Sequence, residues 1–357
     1  MKLKTNENIQ YLRGVAALSV VMAHTVSSFT AFRDIGGLGN VVLHNVELLG
    51  QVGVGVFFII SGYIMSMTTA GKSGGSSNAK IFLLKRAIRI YPIYFIWTSV
   101  NILLWALGVF QRAVHYSPGK IISSYLLIPY ISFDGDVIDP ILRQGWTLIY
   151  EGFYYLSFAL LILFGQHKKN GIYILAVFFI LLNISSQFMS SPSAQSFFSG
   201  QVIWLFVVGM FIYHHQQQIL ARMKFRMASI IMMTIFLLSV IIIVFKNHEL
   251  GGFAEYVHYL SALSFFLCLF SAKKVSGVVL EIGNSSYSLY LTHAFVTTAF
   301  AIVVRSGGLS NSTLFMLGIA TFFIAIVVGE IAYRLIERKI IYKTAAVAHV
   351  SPPLVKP

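Results

Sequence analysis

Apolar stretches about as long as a lipid bilayer is thick recur along nearly the whole chain of 357 residues. A helix that crosses a membrane needs roughly 20 mainly apolar residues. Only 11% of the residues are charged, against about 25% in a soluble domain. The sequence therefore predicts an all-α, polytopic membrane bundle of about ten transmembrane helices. The predicted spans are 9–28, 50–69, 89–110, 146–165, 171–188, 200–214, 227–245, 254–271, 285–304 and 312–335.

The basic residues are distributed unevenly between the predicted loops. Lys and Arg number 26 and Asp and Glu 12, which gives a formal net charge of +14. On a soluble domain this excess would suggest nucleic acid, but in a membrane protein basic residues hold loops on the cytoplasmic side. With an internal start, 20 of the 26 fall on the inner side. We therefore expect both termini in the cytoplasm and no nucleic-acid partner.

The domain organisation is expected to be simple, with one transmembrane domain over 1–343 and a flexible tail over 344–357. No cleavable signal peptide is apparent, so the first helix is expected to remain as an anchor. The single cysteine, Cys268, excludes an intrachain disulfide and a multi-cysteine metal site, and no metal is expected. Within the long outer segment 111–145, the apolar piece 121–131 is too short to span the membrane.

Ionisable groups inside membrane spans are costly and indicate function. Arg13 and His24 are 11 residues apart on the first helix, which is three turns at about 3.67 residues each, so they share a face. Arg13 is predicted near the cytoplasmic end and His24 in the outer half. The structural alternative is that Arg13 reaches lipid phosphate and His24 bonds a neighbouring helix.

Glu151 follows Trp146 in the fourth predicted span. Trp146 is typical of the aromatic belt at the outer interface, so Glu151 would lie about 7–8 Å deeper, at the predicted depth of His24. A carboxylate in lipid could alternatively be part of an ion pair or be protonated. A His and a carboxylate at one depth indicate proton-transfer chemistry near the outer face.

Arg86 and Arg89 are predicted at the inner mouth of the third span. Their i,i+3 spacing puts both on one face, which suits a phosphate-rich ligand but equally suits anionic lipid. His293 is predicted in the inner half of the ninth span, in a different layer from His24. It could be an interhelical histidine or a catalytic one.

Five segments in this order make the chain resemble the membrane-bound acyltransferase 3 family, which modifies bacterial polysaccharides and other extracytoplasmic acceptors. They cover nearly the whole chain: the Arg-x10-His helix of 13–24, Gly53 to Gly62, the Arg-x-x-Arg segment of 86–92, Trp146 to Tyr154, and Tyr287 to His293. Each is weakly specific alone, but their order is specific.

Two positions depart from the family pattern. Gly55 stands where many members carry an acidic residue, so the role of that carboxylate is absent. No proline follows Glu337 near the end of the last span, which leaves its assignment as a motif residue in doubt.

The resemblance implies an O-acetyltransferase of the bacterial inner membrane that uses acyl-CoA, most often acetyl-CoA, as donor. The acceptor would be a sugar hydroxyl of an exopolysaccharide, a lipopolysaccharide O-antigen or a lipid-linked sugar. Arg13, Arg86 and Arg89 would bind the CoA phosphates.

His24 would act as the general base and Glu151 would orient it. Trp146, Tyr154 and His293 are assigned to substrate binding. The alternative is a proton-coupled transporter or flippase of an anionic metabolite, which would use the same intramembrane charges.

Overall fold

The computed structural model describes residues 2–110, 114–130, 139–222, 254–270 and 277–348, together with isolated positions between 233 and 241. Every regular element in these ranges is a helix. The predicted all-α membrane fold is therefore confirmed.

Thirteen helices of eight residues or more are described, and two short 3₁₀ turns and one π turn join some of them. Their bounds are α1 Lys2–Thr30, α2 Gly37–Val46, α3 Leu48–Thr69, α4 Ser76–Ala106, α5 Pro118–Leu126, α6 Trp146–Leu163, α7 Lys169–Ser186, α8 Pro192–Ser199, α9 Trp204–Arg222, α10 Ala254–Phe270, α11 Gly277–Arg305, α12 Asn311–Ala332 and α13 Arg338–Val347.

Eight helical stretches in the described ranges are long and apolar enough to cross a membrane. They correspond to predicted spans one to six, nine and ten. The eighth predicted span matches α10, a shorter apolar helix of 17 residues. The seventh, 227–245, lies almost wholly outside the described residues. The structure therefore accounts for nine of the ten predicted helices.

Two helices begin well before their predicted spans. The third span was expected to start at residue 89, but α4 begins at Ser76, and the ninth was expected at 285, but α11 begins at Gly277. Hydropathy detects only uninterrupted apolar stretches, and polar residues interrupt both helices before the predicted spans, at Lys85 and Arg86 in α4 and at Glu281 and Asn284 in α11. Pro92 lies inside α4, which lipid-embedded helices tolerate because neighbouring groups satisfy the freed carbonyl.

Serine N-caps fix the start of three helices. The side chains of Ser117, Ser191 and Ser310 accept hydrogen bonds from backbone N–H groups three residues later, at the starts of α5, α8 and α12. Proline at the first position of α5 and α8 also favours a start there. With nine residues, α5 is too short to span a membrane, as predicted for the outer segment.

The chain divides into two compact units, and the boundaries fall inside α3, inside α9 and in the π turn before α13. The first unit comprises 1–60 and 215–335, and the second comprises 61–214 and 336–357. The predicted start of a tail at residue 344 falls within α13, which continues to Val347. Residues from 349 onward lie outside the described part of the chain.

In the first unit, α1 and α11 pack side by side and run in the same direction. A Cβ added at Gly283 would collide with the carbonyl oxygen of Gln10, so the two backbones touch near their N-terminal ends. Further along, Phe29 joins Phe300 and Val304 in one buried cluster. The two helices therefore remain in parallel register over about 20 residues.

In the second unit, α4 packs against α6, α5 and α13, and α7 packs against α8. Tyr154 of α6 is fully buried and its ring stacks on Phe206 of α9, with ring centroids 4.1 Å apart. Side-chain hydrogen bonds also join Ser61 and Thr68 of α3 to Glu151 of α6 and Arg86 of α4.

Candidate functional site

A histidine pair lies between α1 and α11 in the first unit. The ring centroids of His24 and His293 are 5.2 Å apart, with an interplanar angle of 36°. His24 is exposed, whereas His293 is completely buried. The exposed imidazole of His24 thus packs against the buried imidazole of His293.

The structure corrects the predicted position of His293, which was placed in a different layer from His24. Because α11 begins at Gly277, His293 lies 16 residues along the helix, about 24 Å from its start at 1.5 Å per residue. Counted from the predicted start at residue 285, the distance is only half as long, and this placed His293 in the inner half of the span. The parallel register of α1 and α11 then brings the two rings together.

The hydrogen bonding of His293 defines its tautomer. Its Nδ1 atom lies 3.1 Å from the carbonyl oxygen of Leu289. A carbonyl oxygen only accepts, so Nδ1 carries the proton and Nε2 of the neutral ring is an acceptor. That Nε2 atom is buried and has no hydrogen-bond partner among the described residues.

Arg13 lies on the same helix as His24, and its side chain is buried within the first unit. The residue is 8% exposed, and its Nη1 atom donates to Oε1 of Gln10 at 3.2 Å. Since a guanidinium directed at lipid headgroups would be exposed, the structure favours an internal role for Arg13 over the lipid alternative.

A carboxylate cluster occupies the second unit, defined here as Ser61, Thr68, Arg86, Glu151 and Tyr155. The Ser61 hydroxyl donates to Oε1 of Glu151 at 2.7 Å, and the Tyr155 hydroxyl donates to the same oxygen in a short hydrogen bond. Two donors on one oxygen hold the carboxyl group of Glu151 in a fixed direction.

Arg86 joins this cluster through the Tyr155 ring. Its Cζ atom lies 5.4 Å from the ring centroids of both Tyr155 and Phe82, and its Nη2 atom donates to the Thr68 hydroxyl at 3.3 Å. The prediction that Arg86 lies at the mouth of its helix is wrong, because α4 begins ten residues earlier, at Ser76. Arg86 and Glu151 are members of one cluster and not of two separate layers.

Positive charge is concentrated in the loop between α3 and α4 and in the first half of α4. Lys72 lies in the loop between these helices, and burial, followed by Lys85 and Arg86, lowers its pKa. Arg89 follows Arg86 by one turn and is half-buried. These four neighbouring cations form a region of positive charge that is suited to bind an anion.

The remaining predicted site residues are in different surroundings. Trp146 begins α6 and contacts Tyr150 edge to face, with centroids 6.0 Å apart. Tyr154 is in the core, as described, so its assignment to substrate binding stays a prediction. The predicted partnership of Glu151 with His24 joins residues of different units and also stays a prediction. Among the described residues, no group of three or more His, Cys, Asp or Glu could hold a metal ion.

Sequence reasoning did not single out Ser61, Thr68 or Tyr155. Tyr155 follows Glu151 by four residues, so helical spacing alone could have placed both on one face. Ser61 and Thr68 reach the cluster from another helix, and this proximity has no signal in a single sequence.

Comparison with known proteins gives one family over nearly the whole chain. The model of the acyltransferase 3 family, described as an acyltransferase domain, matches residues 6–333. Exopolysaccharide production protein ExoZ of Rhizobium meliloti (strain 1021) is 27% identical over 317 residues, which cover 84% of this chain and 92% of that protein. The O-acetyl transferase of Shigella phage Sf6 is 28% identical over 54% of this chain and 56% of its own length. Nodulation protein 10 of Rhizobium leguminosarum bv. viciae is 23% identical over 58% of this chain and 60% of its own length. No solved structure matches the chain.

Proposed function

Since this chain belongs to the acyltransferase 3 family, we propose that it transfers an acetyl or related acyl group from cytoplasmic acyl-CoA to a sugar hydroxyl. The chain is a multi-pass membrane protein and an acyltransferase. The proposed location is the bacterial inner membrane, and the proposed acceptor is an exopolysaccharide, an O-antigen or a lipid-linked sugar. The names of two relatives, which refer to exopolysaccharide production and to O-acetyl transfer, support this acceptor class.

The observation that carries the proposal is the accessible imidazole of His24 on a membrane helix. An imidazole changes its protonation state near neutral pH, so His24 is suited to take the proton of an acceptor hydroxyl. The acyl–oxygen bond then forms as the acyl–sulfur bond of the thioester breaks, and the proton passes finally to the thiolate of CoA. The overall transfer needs no other reactant.

The carboxylate cluster is proposed to supply negative charge for the imidazolium that forms on His24. Ser61 and Tyr155 hold the Glu151 carboxylate in a fixed direction. A fixed carboxylate is suited to stabilise a protonated histidine in the reaction, as in the catalytic triads of hydrolases.

The cations just before α4 and in its first half are proposed to bind the phosphates of the donor. Arg86, Arg89 and Lys72 lie on or just before that helix, and guanidinium groups bind phosphates through paired hydrogen bonds. Arg13 is also proposed to bind the donor phosphates.

Removal of both arginines should weaken donor binding. We expect Arg86→Ala combined with Arg89→Ala to raise the dissociation constant for acetyl-CoA by about 10²-fold or more, since each charge-assisted hydrogen bond contributes about 1.5–3 kcal/mol. Calorimetric titration of the purified protein measures it. The matched control is Lys168→Ala with Lys169→Ala, which removes two charges at the start of α7. An unchanged affinity in the arginine variant would refute the donor site.

Loss of one hydroxyl should separate the role of Tyr155 in catalysis from its role in packing. In Tyr155→Phe the ring contacts with Phe82 and Arg86 remain, but Glu151 loses a donor. We expect transfer to fall by about tenfold or more with little change in thermal stability. Tyr173→Phe, at an exposed position on α7, is the control. Equal rates for both variants would exclude a contribution of the Tyr155 hydroxyl.

The function itself is tested by mass spectrometry of the surface polysaccharide of the host, with the gene present, deleted, or carrying His24→Ala. The expected result is the loss of one acyl mass per repeat unit in both altered strains. An unchanged polysaccharide would contradict this acceptor class, and the same comparison would then be made on extracted glycolipids.

A further inference from the structure

We infer that His293 is a positioning residue that fixes the reactive orientation of His24 by accepting a hydrogen bond on its Nε2 atom. This inference rests on the proposed role of His24 as the general base. It changes the role first expected for His293, which was substrate binding.

The local geometry makes His293 unsuited to contact a substrate and suited to contact His24. The residue is 0% exposed, so an acceptor sugar does not reach it. Its Nδ1 proton is already donated to the Leu289 carbonyl within α11. Its ring packs against two others, those of His24 at 5.2 Å and Tyr290 at 5.9 Å between centroids.

The Nε2 atom is the unexplained feature of this arrangement. It is a buried acceptor without a partner among the described residues, and such an atom is unfavourable unless it accepts a hydrogen bond at some stage. The adjacent His24 imidazole carries an N–H group in either tautomer, and it carries two when protonated. The hydrogen bond is therefore available when His24 reacts.

The bond would select one tautomer of His24. If the N–H of one His24 nitrogen points to Nε2 of His293, the other nitrogen presents its lone pair to the exposed side, where the acceptor hydroxyl binds. After proton transfer both nitrogens carry protons, and the bond to His293 becomes charge-assisted and stronger. His293 thus stabilises the protonated base without touching substrate.

The test compares two substitutions at position 293. His293→Gln keeps an acceptor oxygen near the position of Nε2, whereas His293→Leu fills the space without an acceptor. We expect kcat of the Leu variant to fall by at least about tenfold. A positioned base contributes about 10²–10⁴-fold, and loss of its orientation should remove part of that contribution. KM for donor and acceptor should stay within about twofold, and the Gln variant should recover most of kcat.

A second readout does not depend on activity. The ¹⁵N chemical shifts of the His24 ring report its tautomer, and we expect one tautomer in the wild type and the Gln variant but a mixture in the Leu variant. His258→Leu, at a buried histidine on α10 of the same unit, controls for general loss of a buried imidazole. The inference is overturned if the Leu variant keeps wild-type kcat, or if folded Gln and Leu variants are equally impaired with the same His24 shifts.

The two levels of the proposal fail in different ways. Full activity in His24→Ala would remove the proposed base, and the role of His293 with it. An inactive His24→Ala together with a fully active His293→Leu would leave the proposed function intact and refute only the positioning role.

Discussion

Replacing His24 with alanine is expected to lower acyl transfer by about 10²–10⁴-fold, the range that a positioned general base contributes. The side chain is exposed on α1 and is the accessible member of the histidine pair. Its loss removes the group that takes the acceptor proton and leaves the helix backbone unchanged. Alanine also favours the helix, so the variant should insert and fold normally. Initial rates with labelled acetyl-CoA on purified membranes measure the effect.

The matched control is His115→Ala, which removes an exposed histidine between α4 and α5. Both variants should give equal amounts of folded protein by size-exclusion chromatography in detergent, and only His24→Ala should be inactive. Transfer at the wild-type rate in His24→Ala would show that another group takes the proton, and the assignment of the base would then be abandoned.

Substitution of Gly283 by alanine is expected to prevent correct folding of the first unit. The added Cβ would collide with the backbone carbonyl of Gln10, an atom that no side-chain rotation can move aside. The two helices would have to separate along their closest contact. We expect a destabilisation of more than about 3 kcal/mol, the upper end of the usual range for overpacking, and loss of most of the folded protein.

Gly318→Ala is the control for this substitution. Gly318 lies inside α12 of the same unit, and a Cβ there would meet the Phe300 ring at 3.4 Å, an ordinary contact. Because alanine is a better helix former than glycine by about 1 kcal/mol, this variant should be as stable as the wild type or slightly more so. The yield of monodisperse protein and its thermal unfolding temperature compare the two. Equal stability of both variants would contradict the close approach of α1 and α11.

The sequence contained enough to predict the class of fold and part of the site. Apolar length predicts the spans, and helical spacing could also have placed Glu151 and Tyr155 on one face. The ends of α4 and α11 could not be predicted, because polar turns continue a helix without adding to its hydropathy. The errors on Arg86 and His293 both follow from those two helix starts, since an error in where a helix begins becomes an error in depth.

The contacts that depend on packing were equally beyond the sequence. Ser61 approaches Glu151 from a helix about 90 positions away, and His24 meets His293 only because α1 and α11 are parallel. A single chain gives spacing along one helix but no register between two helices. The order of the five family-like segments compensated in part, because it identified the residues without giving their geometry.

The glycine contact between α1 and α11 also determines which residues meet a long way from it. Each step of one residue turns a helical side chain by about 100°, so a shift of one helix against the other by one position would swing His293 away from His24. The close contact between the backbones at Gly283 and Gln10 fixes the register of the two helices, and with it the relative positions of both rings. A chimaera that exchanges only one of these helices with a relative should therefore insert in the membrane yet lose the histidine pair, whereas exchanging both together should preserve it.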